Sequence, residues 1–238
     1  MPTLKQLSKI LSKDEAVNRV QDQLVSALNP ILKAVKGDLS GPLESPKVVA
    51  LQGYAVAPTA PVYGSQLIYD DTANPPAWQV VKPAYGDFLS RVTQAIPTFA
   101  SGTPLAAACE ITQISKNVST SSATSYNRFT VTQDGIYEAS FSAQYHNTSG
   151  GSRDIWSWVR VNGVDVDDTT SVLELGNNNR SNFPFFAIKI ELKANDYIQF
   201  MFAASGTGTE LQATAAVVGP PARPLDPSII VDIKRLSL

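Results

Sequence analysis

The chain offers few groups with which to do covalent chemistry. Among its 238 residues His146 is the only histidine and Cys109 the only cysteine. Any Ser/His/Asp or Cys/His arrangement would have to be built on His146, and no Gly-x-Ser-x-Gly elbow holds a nucleophile. His146 ends an alternating run beside a loop, which suits a structural or surface role. One histidine and one cysteine also cannot supply a soft-ligand metal set. Cys109, preceded by Ala106–Ala108, reads as a small buried hydrophobe. Asp165, Asp167 and Asp168 cluster after Asn162-Gly163. Such carboxylates could hold calcium or cleave a glycoside, but their spacing matches no EF-hand, and a solvated acidic loop is expected. Asp134 and Asp196 are expected to brace turns through their own backbone amides. No Gly-rich phosphate loop opens a helix. The expectation is therefore a non-enzymatic protein with no catalytic, cofactor-binding or metal-binding residues.

The polar run Gly176-Asn177-Asn178-Asn179-Arg180-Ser181-Asn182 is of another kind. Amide side chains on a loop make adaptable hydrogen bonds, so this run reads either as a plain long turn or as a recognition loop for a glycan.

Composition narrows the partners. Charged residues are 17% of the chain, against about 25% in an average globular domain, while hydrophobic residues are 43%. Ser, Thr, Asn, Gln and Gly fill the difference, as in a β-rich protein with a polar surface of low charge. The net charge is −2 and no basic cluster occurs, so nucleic acid is not expected as a partner. No apolar stretch approaches 18 residues, so no membrane span is expected. Met1–Ile10 lacks the apolar core of a signal peptide, and a lone cysteine excludes an intrachain disulfide framework. Together these predict a product of a reducing compartment.

Three regions must position whatever function there is. Residues 1–40 form an N-terminal helical segment. Ser12 and Glu15 fit a capping box, and Val17, Val20, Leu24, Ala27 and Ile31 recur at steps of three and four as an a/d-type seam. Pro30 should kink or end it, and Gly37 is a natural stop. A seam this short needs a partner surface, either in its own domain or through self-association or docking. Residues 41–104 form a Pro-rich connector. Two runs in it, Leu67–Tyr69 and Trp78–Val81, read as a short β-hairpin, while Phe88–Phe99 is ambiguous. Its aromatics Tyr54, Tyr63, Tyr69, Trp78, Tyr85 and Phe88 call for burial.

Residues 105–238 carry short strands separated by turn signals, with no βαβ alternation, which predicts an antiparallel β-sandwich. Tyr137 to Tyr145 alternates over nine residues, and Ile155–Val161 is closed by Asn162-Gly163. Phe183–Leu192, Tyr197–Ala203, Leu211–Val218 and Ile229–Leu236 are further strands. Trp156, Trp158 and Arg160 share one face of Ile155–Val161, opposite Ile155, Val159 and Val161. Two tryptophans on a sheet's outer face need cover, from the connector or from a neighbouring subunit.

Phe129-Thr-Val-Thr-Gln-Asp-Gly-Ile-Tyr137, Val161-Asn-Gly163 and Leu192-Lys-Ala-Asn-Asp-Tyr-Ile-Gln-Phe200 resemble the jelly-roll family of tumour necrosis factor and the complement C1q head. The resemblance covers about 110 residues and implies a jelly-roll sandwich that forms a homotrimer. It makes Trp156, Trp158, Phe200 and Phe202 candidates for inner-sheet or trimer-contact positions. Leu51-Gln-Gly-Tyr-Ala-Val-Ala-Pro58, Pro61-Val-Tyr-Gly-Ser-Gln-Leu67 and Ala77-Trp-Gln-Val80 look like the connecting segments of bacteriophage head-decoration and fibre proteins. That second resemblance implies a virion structural protein made in the host cytoplasm, a capsid decoration or cement knob bound to the major capsid protein or another virion protein. The alternative it leaves is a trimeric receptor- or carbohydrate-binding fibre tip.

Overall fold

The computed structural model describes residues 19, 39–40, 47–71, 73–121 and 125–237. The expected helix and its seam of Val17, Val20, Leu24, Ala27 and Ile31 lie outside the described residues. The chain divides into two compact units, Met1–Lys82 and Pro83–Leu238.

In the first unit, strands numbered in chain order pair as short antiparallel couples. These are β1 (Leu39–Ser40) with β2 (Lys47–Val48), β3 (Ala50–Leu51) with β4 (Tyr54–Ala55), and β5 (Gln66–Asp70) with β6 (Ala77–Val81). The last couple is the hairpin expected in the connector. Its turn is tied by the Ala73 amide donating to Asp70 Oδ1. Tyr54, Tyr69 and Trp78 form one aromatic cluster, with ring centroids 4.8 and 5.3 Å apart, and the Trp78 indole donates to Leu51 O. Tyr63, expected to be buried, is instead 97% exposed.

The second unit is a sandwich of two antiparallel sheets. One runs β10 (Ile111–Lys116), β7 (Tyr85–Ser90), β20 (Ile229–Ser237), β13 (Gly135–Asn147), β17 (Arg180–Leu192). Short β19 (Thr209–Leu211) and β8 (Gln94–Ile96) continue this sheet beyond the end of β20. The other runs β11 (Val118–Thr120), β12 (Phe129–Val131), β18 (Tyr197–Ala204), β14 (Arg153–Val161), β16 (Ser171–Leu175). Here β9 (Leu105–Ala106) lies beside β18, and β15 (Val164–Asp165) pairs back on β14. The chain passes repeatedly from one sheet to the other, including at β10–β11, β12–β13, β13–β14, β16–β17, β17–β18 and β18–β19 among the described strands, which is the connectivity of a jelly roll.

Alternation explains why these segments became strands. Along β13, Tyr137, Ala139, Phe141, Ala143 and Tyr145 all point inward and are buried. Along β18, Ile198, Phe200, Phe202 and Ala204 meet them. Phe141 stands 5.1 Å from the Phe200 ring and 5.3 Å from Phe202, so the two sheets meet through interlocked rings. The β14–β15 turn has Asn162 at φ 50° and Gly163 at φ 84°, the two positive angles a type I′ hairpin requires.

The sandwich begins earlier in the chain than 105. Strands β7 and β8 come from residues assigned by sequence to the connector, and β7 pairs with both β10 and β20. Proline frequency on either side concealed them, although the run between Pro83 and Pro97 is itself free of proline. Two strands differ from expectation. β17 starts at Arg180, so the polar loop shrinks to residues 176–179. Leu211–Val218 is a strand only to Leu211. Beyond it, an arm over 212–228 is held by paired backbone bonds between Thr214 and Asp226 and between Val217 and Arg223.

Candidate functional site

His146, Cys109 and Asp165 are engaged in holding structure. His146 Nδ1 lies 3.0 Å from Glu210 Oε1 and 3.0 Å from Gln212 Nε2. Cys109 is fully buried, and desolvation, with smaller contributions from Glu110 and Asp87, drives its thiol pKa far up. Asp165 Oδ1 accepts the Trp158 indole N–H and the Arg160 Nε, both at 2.7 Å. These bonds, that from Arg160 foremost, hold its carboxyl below the usual range. Among the described residues no three His, Cys, Asp or Glu side chains converge to hold a metal ion. Asp196 does brace its own turn, accepting the Lys193 amide at 2.7 Å, but Asp134 accepts the amide of Ala194, sixty residues away.

The four aromatic candidates divide by strand parity. In register, Trp156 faces Ala203 and Trp158 faces Met201, whereas Ser157 faces Phe202 and Val159 faces Phe200. Phe200 and Phe202 therefore point between the sheets, at 0% exposure, which is the inner-sheet position of the two alternatives. Trp156 and Trp158 point outward with Met201, Ala203 and Ala106. Their cover comes from the same chain. Phe99, on the short 3-10 turn Phe99–Ser101, sits edge-on to Trp156 at 4.9 Å and 6.3 Å from Trp158. Of the two sources of cover the sequence left open, the segment before β9 supplies one.

Two surfaces remain as candidates for recognition. The first is one end of the sandwich, where Asn147 is completely buried. Its Nδ2 is within bonding distance of the carbonyls of Gly151, Leu175 and Gly176, while Oδ1 accepts from the Ser149 amide and hydroxyl. One side chain thus fastens the loop after β13 to the loop between β16 and β17. Thr148 N donates to Gly208 O, which brings in a third loop. The exposed tips Asn177, Asn178 and Asn179 are carried on this braced base.

The second surface is the outer face of the sheet β10-β7-β20-β13-β17. Register places its outward residues in rows. Ile111, Leu89, Ile230 and Ser142 form the first; Ile114, Asp87, Asp232, Ser140 and Ala187 the next; Lys116, Tyr85, Lys234, Glu138 and Lys189 the third. Ile114 is 55% exposed and Ile230 39%, and Ile136 and Leu236 at the far end are exposed as well. Small Ser140 and Ala187 leave the middle of the face low. The alternation of Tyr137–Tyr145 and of Ile229–Leu236 reveals part of this face from sequence, whereas β7 is hidden in the proline-rich range.

Comparison with known proteins adds no family. No family model matches the chain, and no curated protein matches it. Among solved structures it is similar to Eiger TNF from S. frugiperda, at 10% identity and a TM-score of 0.42, over 66% of this chain and 94% of that one. It is likewise similar to murine APRIL, at 10% identity and a TM-score of 0.40, over 65% of this chain and all of that one. The jelly-roll assignment rests on the strand order and connectivity described above.

Proposed function

We propose that this chain is a non-enzymatic structural protein that assembles as a homotrimer through its jelly roll and decorates the outside of a bacteriophage capsid as a squat knob. The observation that carries the assembling role is the outer face of the β10-β7-β20-β13-β17 sheet. Isoleucines and a leucine stand exposed there around a low centre of Ser140 and Ala187, a surface that gains by being covered. In this reading residues 1–40 anchor the knob on the major capsid protein or another virion protein. The sequence resemblance to head-decoration connectors supports the virion assignment. Trp156 belongs to the same proposal only as a secondary contact, at the rim of the Phe99 cover.

The braced loops at the Asn147 end favour a second reading, a receptor- or glycan-binding fibre tip, because three asparagines are held on a rigid base. Two measurements separate the readings. Sedimentation equilibrium of the full chain is expected to give a trimer, and a monomer at micromolar concentration defeats the assembly reading. Mixing the protein with undecorated capsids is expected to yield a fixed number of copies per particle. Binding to a glycan array without capsid binding would replace the knob by the tip.

A further inference from the structure

The like-charged pair in the middle of the open sheet face is unexpected in a surface made for contact. Asp87 on β7 and Asp232 on β20 are direct register partners. Like charges directly opposite on neighbouring strands are destabilising. Apolar Ile114 flanks the pair on one side and Ser140 with Ala187 on the other. Lys234, on the same strand as Asp232, bonds Glu138 Oε1 through Nζ at 2.6 Å, and Asp232 acts on it only as a smaller influence. Partial burial, and then the charge of Asp232, hold the Asp87 carboxyl above its ordinary value.

We propose that acid tightens the contact between copies at this face, because Asp87 and Asp232 can share one proton when a neighbouring copy removes them from water. This rests on the reading that a second copy covers the face. Covering it raises the cost of two bare carboxylates, whereas a protonated one donates an O–H···O⁻ bond to the other, a short and strong type of bond. Proton uptake on association then makes affinity rise as pH falls, by up to about tenfold per pH unit for each proton taken up.

The other charged and titratable groups around the pair are Lys116 on β10, Tyr85 on β7, Lys234 on β20, Glu138 on β13, Lys189 and Glu191 on β17, and the buried Cys109 thiol, which Asp87 helps to keep protonated. Glu110, just before β10, accepts the Arg91 amide. The hydrogen bond with Lys234 pulls Glu138 down, and the same bond pushes Lys234 up, so both stay charged between pH 5.5 and 7.5. His146 lies farther along the same face of β13, bonded to Glu210 and Gln212, and needs its own control.

The test is sedimentation equilibrium of the full chain at pH 7.5, 6.5 and 5.5, for the natural sequence and for Asp87→Asn, Asp232→Asn and His146→Asn. The natural chain should associate at least tenfold more tightly at pH 5.5 than at pH 7.5. Asp87→Asn and Asp232→Asn should associate at pH 7.5 as tightly as the natural chain does at pH 5.5, with little further pH response, and His146→Asn should keep the full response. An oligomer with the same affinity at every pH overturns this inference alone. So does an undiminished pH response in both aspartate variants, or its loss in His146→Asn. A monomer under all conditions overturns it together with the assembly reading beneath it.

Discussion

The Trp158 indole N–H donates to Asp165 Oδ1 at 2.7 Å, across the type I′ hairpin that joins β14 to β15. Arg160 grips the same carboxylate through Nε at 2.7 Å and a terminal nitrogen at 3.2 Å. One exposed acidic side chain thus satisfies a nearly buried indole and orients the guanidinium beside it. In sequence Asp165 looked like one member of an acidic cluster. In the fold it acts apart from Asp167 and Asp168.

Asp165→Ala should leave the Trp158 N–H without its partner and lower stability by about 1 kcal/mol. Urea unfolding measures the loss, and tryptophan emission should shift red. A carboxylate whose folded pKa is depressed stabilises above its unfolded pKa, and that stability is lost as pH falls through the folded value. The difference between natural chain and variant should therefore be full near neutrality and shrink below about pH 4, where an ordinary aspartate takes up its proton. A gap that widened in acid would exclude this role.

Asn147→Ala should cost more, about 2–4 kcal/mol, because it removes at once the bonds of a fully buried amide side chain to the Gly151, Leu175 and Gly176 carbonyls and the acceptor of the Ser149 amide. Hydrogen exchange should quicken in residues 148–152 and 176–179 together. Quickening in only one of these loops would show that Asn147 does not couple them.

Phe200→Ala removes a ring wedged against Phe129 and Phe141 and should destabilise each protomer by about 3–5 kcal/mol. Trp156→Ala, by contrast, should leave the core intact and lower stability by about 1–2 kcal/mol, given its partial exposure. Thermal melts of the two variants test the division of these aromatics into core and rim. Equal losses would contradict it.

Asp87→Asn should stabilise the protomer at pH 7 by about 0.2–1 kcal/mol, by removing half of a like-charged cross-strand pair. Asp87 has a raised folded pKa, so the natural chain gains stability as pH falls and loses it as pH rises through that value. The advantage of the variant should accordingly vanish in acid. Urea midpoints at pH 3.5 and 7 measure it.

How much could be read beforehand followed from how local each signal was. Tyr137 to Tyr145 and Ile229–Leu236 announce themselves by alternation, and Asn162-Gly163 by turn chemistry, so the sandwich was legible. The parity of β14 correctly separated Trp156 and Trp158 from Ile155 and Val159. What covers the tryptophans was not legible, because Phe99 arrives from 57 residues upstream of Trp156. For Phe200 and Phe202 the resemblance leaves inner-sheet and contact positions open, and their register with Val159 and Ser157 selects the inner one. The Asp87–Asp232 pair joins strands 145 residues apart in the chain, a separation at which only register decides who meets whom.

Strand β20 is the last strand of the sandwich to be made, yet it lies in the interior of its sheet, between β7 and β13. Until it inserts, β7 and β10 have no hydrogen-bonded route to β13 and β17, and each pair presents a raw edge. Folding must therefore wait on a contact that spans most of the sandwich sequence, which places this domain among slow, high contact-order folders. During that wait, the two open edges are the places where chaperone capture or off-pathway strand pairing would strike.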